Sequence, residues 1–402
     1  MMEATDTARP GVGTLLRDLN QASPAGLVEV CAAWLRRHLS AQACVLLLAD
    51  YGEVSLEPVP DVGASPSTGR QDMMDSAAGV AYREQRRVHQ PAEQDPAQVV
   101  VYLPVSIRTE RLGVLEVTLP GRSLGRDVAN VLDDVSQVLG YVLAGARRYT
   151  DKFETLRRRR ELGLAAEIQW DLLPTLAYEL PGFSIAGALE PAYDIGGDSF
   201  DYAVSAHQLT ISITDGAGHG IRAALLAGLA CTAMRNVRRS QASIADQAAA
   251  ANRHLAEQFP GPSFVTGLLI ELEVATGAGT VLNAGHPPPL LLRHGTVTEL
   301  QIPPNVPLGL FRDTTYSVHP IHLQPGDRLL LISDGITEAH RSGGSDFGYR
   351  RLNELFRAHS DLSPAEFVRN LTRTVIGYRD GELTDDATAV CLDWHPRRTA
   401  DN

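Results

Sequence analysis

The run Gln208-Leu209-Thr210-Ile211-Ser212-Ile213-Thr214-Asp215 constrains the fold more tightly than any other stretch of this chain. Leu209, Ile211 and Ile213 alternate with polar residues, which is the period of a strand with one buried and one wet face. Asp215 keeps the parity of the apolar set, so it points toward the core, where an unpaired carboxylate is costly. Asp334 repeats the pattern after Leu330 and Ile332. Asp198 opens a strand in which Phe200 and Tyr202 share its parity, whereas Asp201 faces the opposite way. Carboxylates aimed inward from separate strand ends need a compensating cation, and hard divalent ions with oxygen ligands are the natural candidate.

A chain of 402 residues is too long for one ordinary core, so two or three domains are expected. The net charge of −12 argues against a general nucleic-acid or anionic-membrane binder. Met1 to Pro10 carry acidic groups and no apolar stretch of the kind a signal peptide needs, and no apolar run reaches the length of a membrane span. Cys31, Cys44, Cys231 and Cys391 are scattered through apolar segments with no paired spacing. Together these features predict a cytoplasmic protein with reduced thiols.

Residues 11–146 read as one mixed α/β domain. Leu15–Leu39 has helical spacing and Ala43–Leu48 is a short apolar strand. Val99–Ile107 and Gly113–Leu119 are strands joined by Arg108-Thr109-Glu110-Arg111, and a closing helix begins near Asp127. This succession, with Leu103-Pro104-Val105 followed by Leu112-Gly113-Val114-Leu115, resembles a GAF sensory domain. The residues leave the ligand of such a module open between a small molecule, a protein and none. Val142, Ala146, Tyr149, Phe153 and Leu156 then recur at spacings of four and three, the signature of a coiled-coil seam. Residues 147–174 are therefore expected to form a helical linker, ended by Pro174, that joins two protomers of a homodimer. Arg160 falls on that seam and counts against it; a solvated connector helix with a basic face is the plainer alternative.

From Phe183 the pattern becomes rich in strands, interrupted by helical spacing at Gly220–Val237, Ile244–Gln258, Tyr349–Ala358 and Pro364–Tyr378. Strands and helices in blocks, at hairpin spacing, predict an α+β fold of antiparallel sheets layered with helices.

This second half carries five motifs in order: Pro191-Ala192-Tyr193-Asp194-Ile195-Gly196-Gly197-Asp198, Asp215-Gly216-Ala217-Gly218-His219-Gly220, Asn283-Ala284-Gly285-His286-Pro287-Pro288, Ser333-Asp334-Gly335-Ile336-Thr337-Glu338 and Thr384-Asp385-Asp386-Ala387-Thr388. Each alone is weak, since an Asp-Gly pair is usually a turn. Their order and spacing resemble the SpoIIE/RsbU-type branch of the metal-dependent serine/threonine protein phosphatases, and Ala166–Pro174 resembles the helix preceding the catalytic core there. The resemblance implies a four-layer α-β-β-α sandwich over 175–395 and two divalent cations, Mn²⁺ or Mg²⁺. It also implies a phosphorylated anti-sigma-factor antagonist as the protein substrate. Carried over by position, it implies Asp198, Asp215, Asp334 and Asp385 as carboxylate ligands and Gly216 as a carbonyl ligand. Choosing Asp385 over Asp386 rests on the resemblance alone.

For Asp194, Asp201 and Asp386 a turn- or helix-capping role is the preferred reading. His219 and His286 sit in Gly/Pro-rich loops, where a hydrogen-bonded structural histidine is commoner than a catalytic base. The eukaryotic relatives place a histidine directly after the Asp-Gly pair, but Ala217 stands there, so no general acid transfers by position. No arginine is identified for docking substrate phosphate. Two other functions compete with the phosphatase: a non-catalytic dimeric signalling adaptor, and a metallohydrolase acting on small phosphoesters. The adaptor would be expected to have lost ligand aspartates, and this chain keeps the set.

Overall fold

A computed structural model of the chain describes residues 11–60, 69–158, 163–190, 196–341, 345–378 and 386–395. It divides into two compact units, Met1–Glu161 and Leu162–Asn402. No helix among the described residues is long and apolar enough to cross a membrane.

The first unit contains α1 (Val12–Gln21), α2 (Leu27–Leu39), β1 (Ala43–Ala49), β2 (Ser55–Pro58), β3 (Gln71–Asp72), α3 (Ala77–Glu84), β4 (Val88–Pro91), β5 (Gln98–Ile107), β6 (Glu110–Pro120), α4 (Arg126–Ala146) and α5 (Lys152–Arg157). Its six strands form one antiparallel sheet in the order β3-β2-β1-β6-β5-β4. Leu15, Leu35, Leu132 and Leu139 pack on one face of that sheet and the α3 residues Ala78, Ala81 and Tyr82 on the other.

The expected continuous linker is not what forms. Helix α4 ends at Ala146, and α5 is a separate six-residue helix. Phe153, placed on the seam by its spacing, is 2% exposed in the first unit's own core, with Leu156 packed beside it. Arg157 is also drawn in: its Nε donates to the Ala49 carbonyl at 3.1 Å and its guanidinium lies over the Tyr51 ring. Side chains used up inside one domain cannot also zip two chains together, so the structure removes the basis for the coiled-coil dimer. The rest of the basic run, Arg159 and Arg160, lies outside the described residues.

The second unit contains α6 (Leu164–Leu172), β7 (Ala177–Leu180), β8 (Phe183–Glu190), β9 (Asp198–Val204), β10 (Gln208–Gly216), α7 (Ile221–Arg238), α8 (Ile244–Gln258), β11 (Val265–Glu273) and β12 (Ala278–Ala284). It continues with β13 (Leu290–Arg293), β14 (Thr296–Glu299), β15 (His319–His322), β16 (Arg328–Ile332), α9 (Asp334–Thr337), α10 (Gly348–Ala358), α11 (Pro364–Tyr378) and β17 (Ala387–Trp394). The strands form two antiparallel sheets, ordered β15-β12-β11-β10-β9 and β14-β13-β16-β17-β8-β7.

Period-two burial decides how the sheets stack. Leu209, Ile211 and Ile213 of β10 and Leu268 and Ile270 of β11 meet Leu329, Leu331, Val390 and Leu392 of the other sheet in one core. Each such aliphatic side chain stabilises the fold by about 2 kcal/mol on burial. Gly187 lets the layers close, because a Cβ there would come within 2.4 Å of the Phe200 ring. The outer faces are covered separately: Leu226, Ala230, Ala248 and Leu255 of α7 and α8 pack on the first sheet, and Phe356, Phe367 and Leu371 of α10 and α11 on the second. The unit is the expected four-layer α-β-β-α sandwich.

Candidate functional site

The inner face of the five-stranded sheet ends in a row of polar side chains. β9 and β10 run antiparallel with Asp198 opposite Asp215, and β10 pairs with β11 so that Asp215 stands opposite Thr266. Residues directly opposite across an antiparallel pair share a face with their Cβ atoms about 5 Å apart. Since Phe200, Ile213 and Leu268 on the same parity fill the inter-sheet core, Asp198, Asp215 and Thr266 lie side by side at its rim. Asp215 thus lies on the core face of β10, where its parity in the sequence puts it.

Backbone approach at this rim depends on glycine. A Cβ on Gly197 would fall 2.7 Å from the Gly216 carbonyl oxygen and 3.2 Å from Asp215 Oδ1. A Cβ on Gly216 would fall 2.7 Å from the Ala223 carbonyl at the start of α7. The Gly216 N–H donates to the Gly197 carbonyl at 2.8 Å, locking the two loops together.

The second sheet closes over Asp198 from the other side. Thr388, on the parity of Val390 and Leu392, donates from Oγ1 to Asp198 Oδ2 at 2.6 Å. Asp386 shares that parity and is 1% exposed. Its Oδ2 accepts from the Gly197 and Asp198 N–H groups at 2.9 and 3.2 Å, and from Gln169 Nε2 of α6 at 2.6 Å. The same Gln169 nitrogen donates to the Asp198 carbonyl at 2.9 Å. Asp386 is thus a buried clamp on the backbone carrying Asp198, not the turn cap expected. Burial first, then the charges of Asp215 and Asp386, hold the Asp198 carboxyl well above the usual carboxylate range, while Ser333 and Thr388 donate to it and pull the other way. A position where burial and like charges resist ionisation is one where a cation would replace the proton.

Two of the other aspartates depart from expectation. Asp201, on the opposite face of β9, is neither a ligand nor a cap. Arg235 Nη2 and Arg238 Nη1 of α7 reach its buried carboxylate at 2.7 and 2.8 Å from half-buried positions, making an ion triad. For Asp334 the parity argument fails. Leu330 and Ile332 face the outer helices, β16 ends at Ile332, and Asp334 is the first residue of the short helix α9, half-exposed. Asp194 and Asp385 lie outside the described residues. Among the described residues no group of three or more His, Cys, Asp or Glu side chains is arranged to hold a metal ion. Asp198, Asp215 and the Gly216 carbonyl nevertheless fit one side of such a site, because the β9–β10 register brings two carboxylates side by side with a backbone oxygen next to them in the chain.

His219 is exposed in its loop. His286, in the turn after β12, is 4% exposed, with its N–H donating to Asn283 Oδ1 at 2.8 Å and its Nδ1 2.9 Å from Thr266 Oγ1. Gln169, Thr266, Ser333 and Thr388 were missed as site residues. Thr266 and Thr388 carried a signal, since each sits on the core parity of its strand. Gln169 carried none: its partner Asp386 is 217 residues away in sequence.

Residues 205–395 match the family model described as Stage II sporulation protein E (SpoIIE). Phosphoserine phosphatase RsbU of Bacillus subtilis (strain 168) is 28% identical over 274 residues, covering 67% of this chain and 81% of that protein. Phosphoserine phosphatase RsbP of the same strain is 27% identical over 245 residues, 59% of each chain. Among solved structures, the SiaA-PP2C domain of Pseudomonas aeruginosa is 23% identical, with a TM-score of 0.49 over 57% of this chain and 94% of that one. The catalytic domain of the serine/threonine protein phosphatase PstP, solved in complex with two manganese ions, is 18% identical, with a TM-score of 0.42 over 54% of this chain and 98% of that one.

Proposed function

We propose, from the premise that the second unit carries a SpoIIE-family, PP2C-type phosphatase domain, that this protein is a metal-dependent phosphatase of phosphoserine and phosphothreonine in another protein. The observation that carries the reading is the cross-strand pair Asp198–Asp215 at the rim of the sandwich, with the Gly216 carbonyl beside it. In this reading Asp198, Asp215, Asp334 and Asp385, with the Gly216 carbonyl, hold two divalent cations, Mn²⁺ or Mg²⁺. Such ions, when bound, supply a water activated near neutral pH and offset charge on the phosphoryl oxygens. The chain's own part is to aim its carboxylates. Thr388 of β17 and Ser333, just past the end of β16, hold Asp198, and the Asp386 clamp fixes the backbone beneath it. No side-chain nucleophile is required, in keeping with the lack of a Ser or Cys nucleophile motif in the sequence.

The substrate class follows from the family. We take it to be a phosphorylated anti-sigma-factor antagonist, with the first unit as a GAF-like sensory module that regulates turnover. The acidic, span-free sequence, with its four free cysteines, three of them buried, accords with a cytoplasmic setting.

The test is hydrolysis of a phosphoserine peptide by the full chain as Mn²⁺ is titrated. Turnover should appear with metal, vanish in EDTA, and fall by about a hundredfold or more in Asp215→Asn with the circular dichroism spectrum retained. Undiminished turnover in EDTA overturns the reading. Peptide binding without turnover at any metal concentration points to the adaptor instead.

A further inference from the structure

The rim that carries Asp215 is edged by an arginine. Helix α7 starts against it: a Cβ on Gly216 would fall 2.7 Å from the Ala223 carbonyl, and one on Gly197 3.3 Å from the Ala223 Cβ. The β10–β11 ladder runs on past Gly216, with the Ala217 N–H donating to the Phe264 carbonyl at 2.9 Å. Ser263, one residue further out, is buried, and its hydroxyl accepts from Arg222 Nη2 at 2.7 Å. We infer that Arg222 binds an acidic side chain flanking the phosphoserine of the protein substrate, with Ile221 and Leu225 supplying apolar contact beside it. This rests on the phosphatase reading above.

The Arg222 side chain is exposed and held, yet not neutralised. A guanidinium has five N–H donors, and the one hydrogen bond of this group among the described residues goes to a neutral hydroxyl. No carboxylate among those residues pairs with it, whereas Arg235 and Arg238 of the same helix are both spent on Asp201. The serine tether fixes the side chain in advance, which lowers the ordering cost of binding. It leaves the charged fork for a carboxylate from outside.

Position selects which group that is. Ser263 precedes Thr266 by three residues, and Thr266 stands opposite Asp215. At about 3.3 Å per residue the tether lies roughly 10 Å from the Asp215 register. That offset suits a residue two or three places from the phosphoserine in an extended peptide, rather than the phosphoryl group itself. Ile221 and Leu225, one helical turn apart, are 49% and 46% exposed, while Leu226 and Met234 of the same helix are buried. An arginine between exposed apolar side chains fits a substrate segment whose aspartate or glutamate sits among apolar residues.

The experiment measures kcat and KM of the full chain with Mn²⁺ on three synthetic phosphoserine peptides and on p-nitrophenyl phosphate, which has no flanking residues. The peptides are alike except for aspartate, asparagine or lysine at the positions two and three residues from the phosphoserine. Wild type should favour the aspartate peptide over the asparagine peptide by about fivefold, through KM rather than kcat. Arg222→Gln should lose that preference and Arg222→Lys should keep part of it. Arg222→Glu should reverse it toward the lysine peptide, which a structural role for the guanidinium would not produce. A wild type that does not distinguish the peptides, or an Arg222→Gln loss shared equally by p-nitrophenyl phosphate, overturns the inference and leaves the phosphatase reading intact. Faster p-nitrophenyl phosphate turnover in Ile221→Ser/Leu225→Ser would show that this chain or a second copy of it covers the patch, and overturns it too. A wild type that turns over none of these substrates with Mn²⁺ overturns both.

Discussion

Asp198 and His286 show how burial, as the largest influence, shifts the protonation of a side chain. Asp198 sits at the end of a strand whose inner residues Phe200 and Tyr202 fill the core, and burial, then the charges of Asp215 and Asp386, push its carboxyl above the ordinary range. His286 is the converse case. Burial pulls its imidazole down to about 4, with the Ile332 carbonyl partly opposing. The unfolded chain takes up a proton on this ring below its ordinary value of 6.5, whereas the folded protein does so only near 4. The stabilisation from a neutral His286 is therefore complete above 6.5 and is lost as the pH falls through 4. Wild type should lose about 3 kcal/mol more than His286→Phe between about pH 7 and about pH 4. Urea unfolding at the two pH values measures the difference, and equal losses would show that the ring already titrates freely in the folded state.

At the scale of elements, the sandwich is held by buried ionic pins as well as by its apolar layers. Arg328, on β16, is 5% exposed. It reaches Asp393 of β17 through Nε and Nη2, at 2.5 and 2.7 Å, and donates to the His359 and Leu362 carbonyls in the turn between α10 and α11. One guanidinium thus ties two strands to the helical layer outside them. Arg328→Met should cost about 3 kcal/mol, since it strands the Asp393 carboxylate and two carbonyls. Adding Asp393→Leu should recover part of the loss, as removing both charges removes the unpaired one. A midpoint of urea unfolding unaltered by Arg328→Met would show that water replaces the guanidinium without cost. The strands and helices of this unit were largely readable, because Ile244–Gln258 and Leu209–Thr214 have clean helical and strand periods. The linker was not. Its spacing of four and three suits a coiled coil and a domain core equally well, and only packing assigns Phe153 to the latter.

The whole molecule divides at Glu161–Leu162 into units with separate hydrophobic cores. A unit that buries its own core should fold by itself. The fragment Leu162–Asn402 is expected to unfold cooperatively in urea, with a single transition in both fluorescence and circular dichroism. A broad, non-cooperative transition would show that it leans on the first unit.

Strand periodicity and the order of the Asp-Gly motifs sufficed for the layered fold, for the inward aim of Asp198 and Asp215, and for the class of chemistry. Those features are local, since the side-chain period of a strand depends on the strand alone. What only the tertiary structure decided is how strands far apart in sequence meet. It put Thr388 onto Asp198, Gln169 under Asp386 and Thr266 against His286, and it turned Asp334 off its strand into a helix. Parity says which side a residue faces but not which layer lies there. The face that Leu330 and Ile332 share looks outward to helices, whereas that of Ile211 and Ile213 looks inward to the other sheet, and no local pattern separates two faces that are both buried.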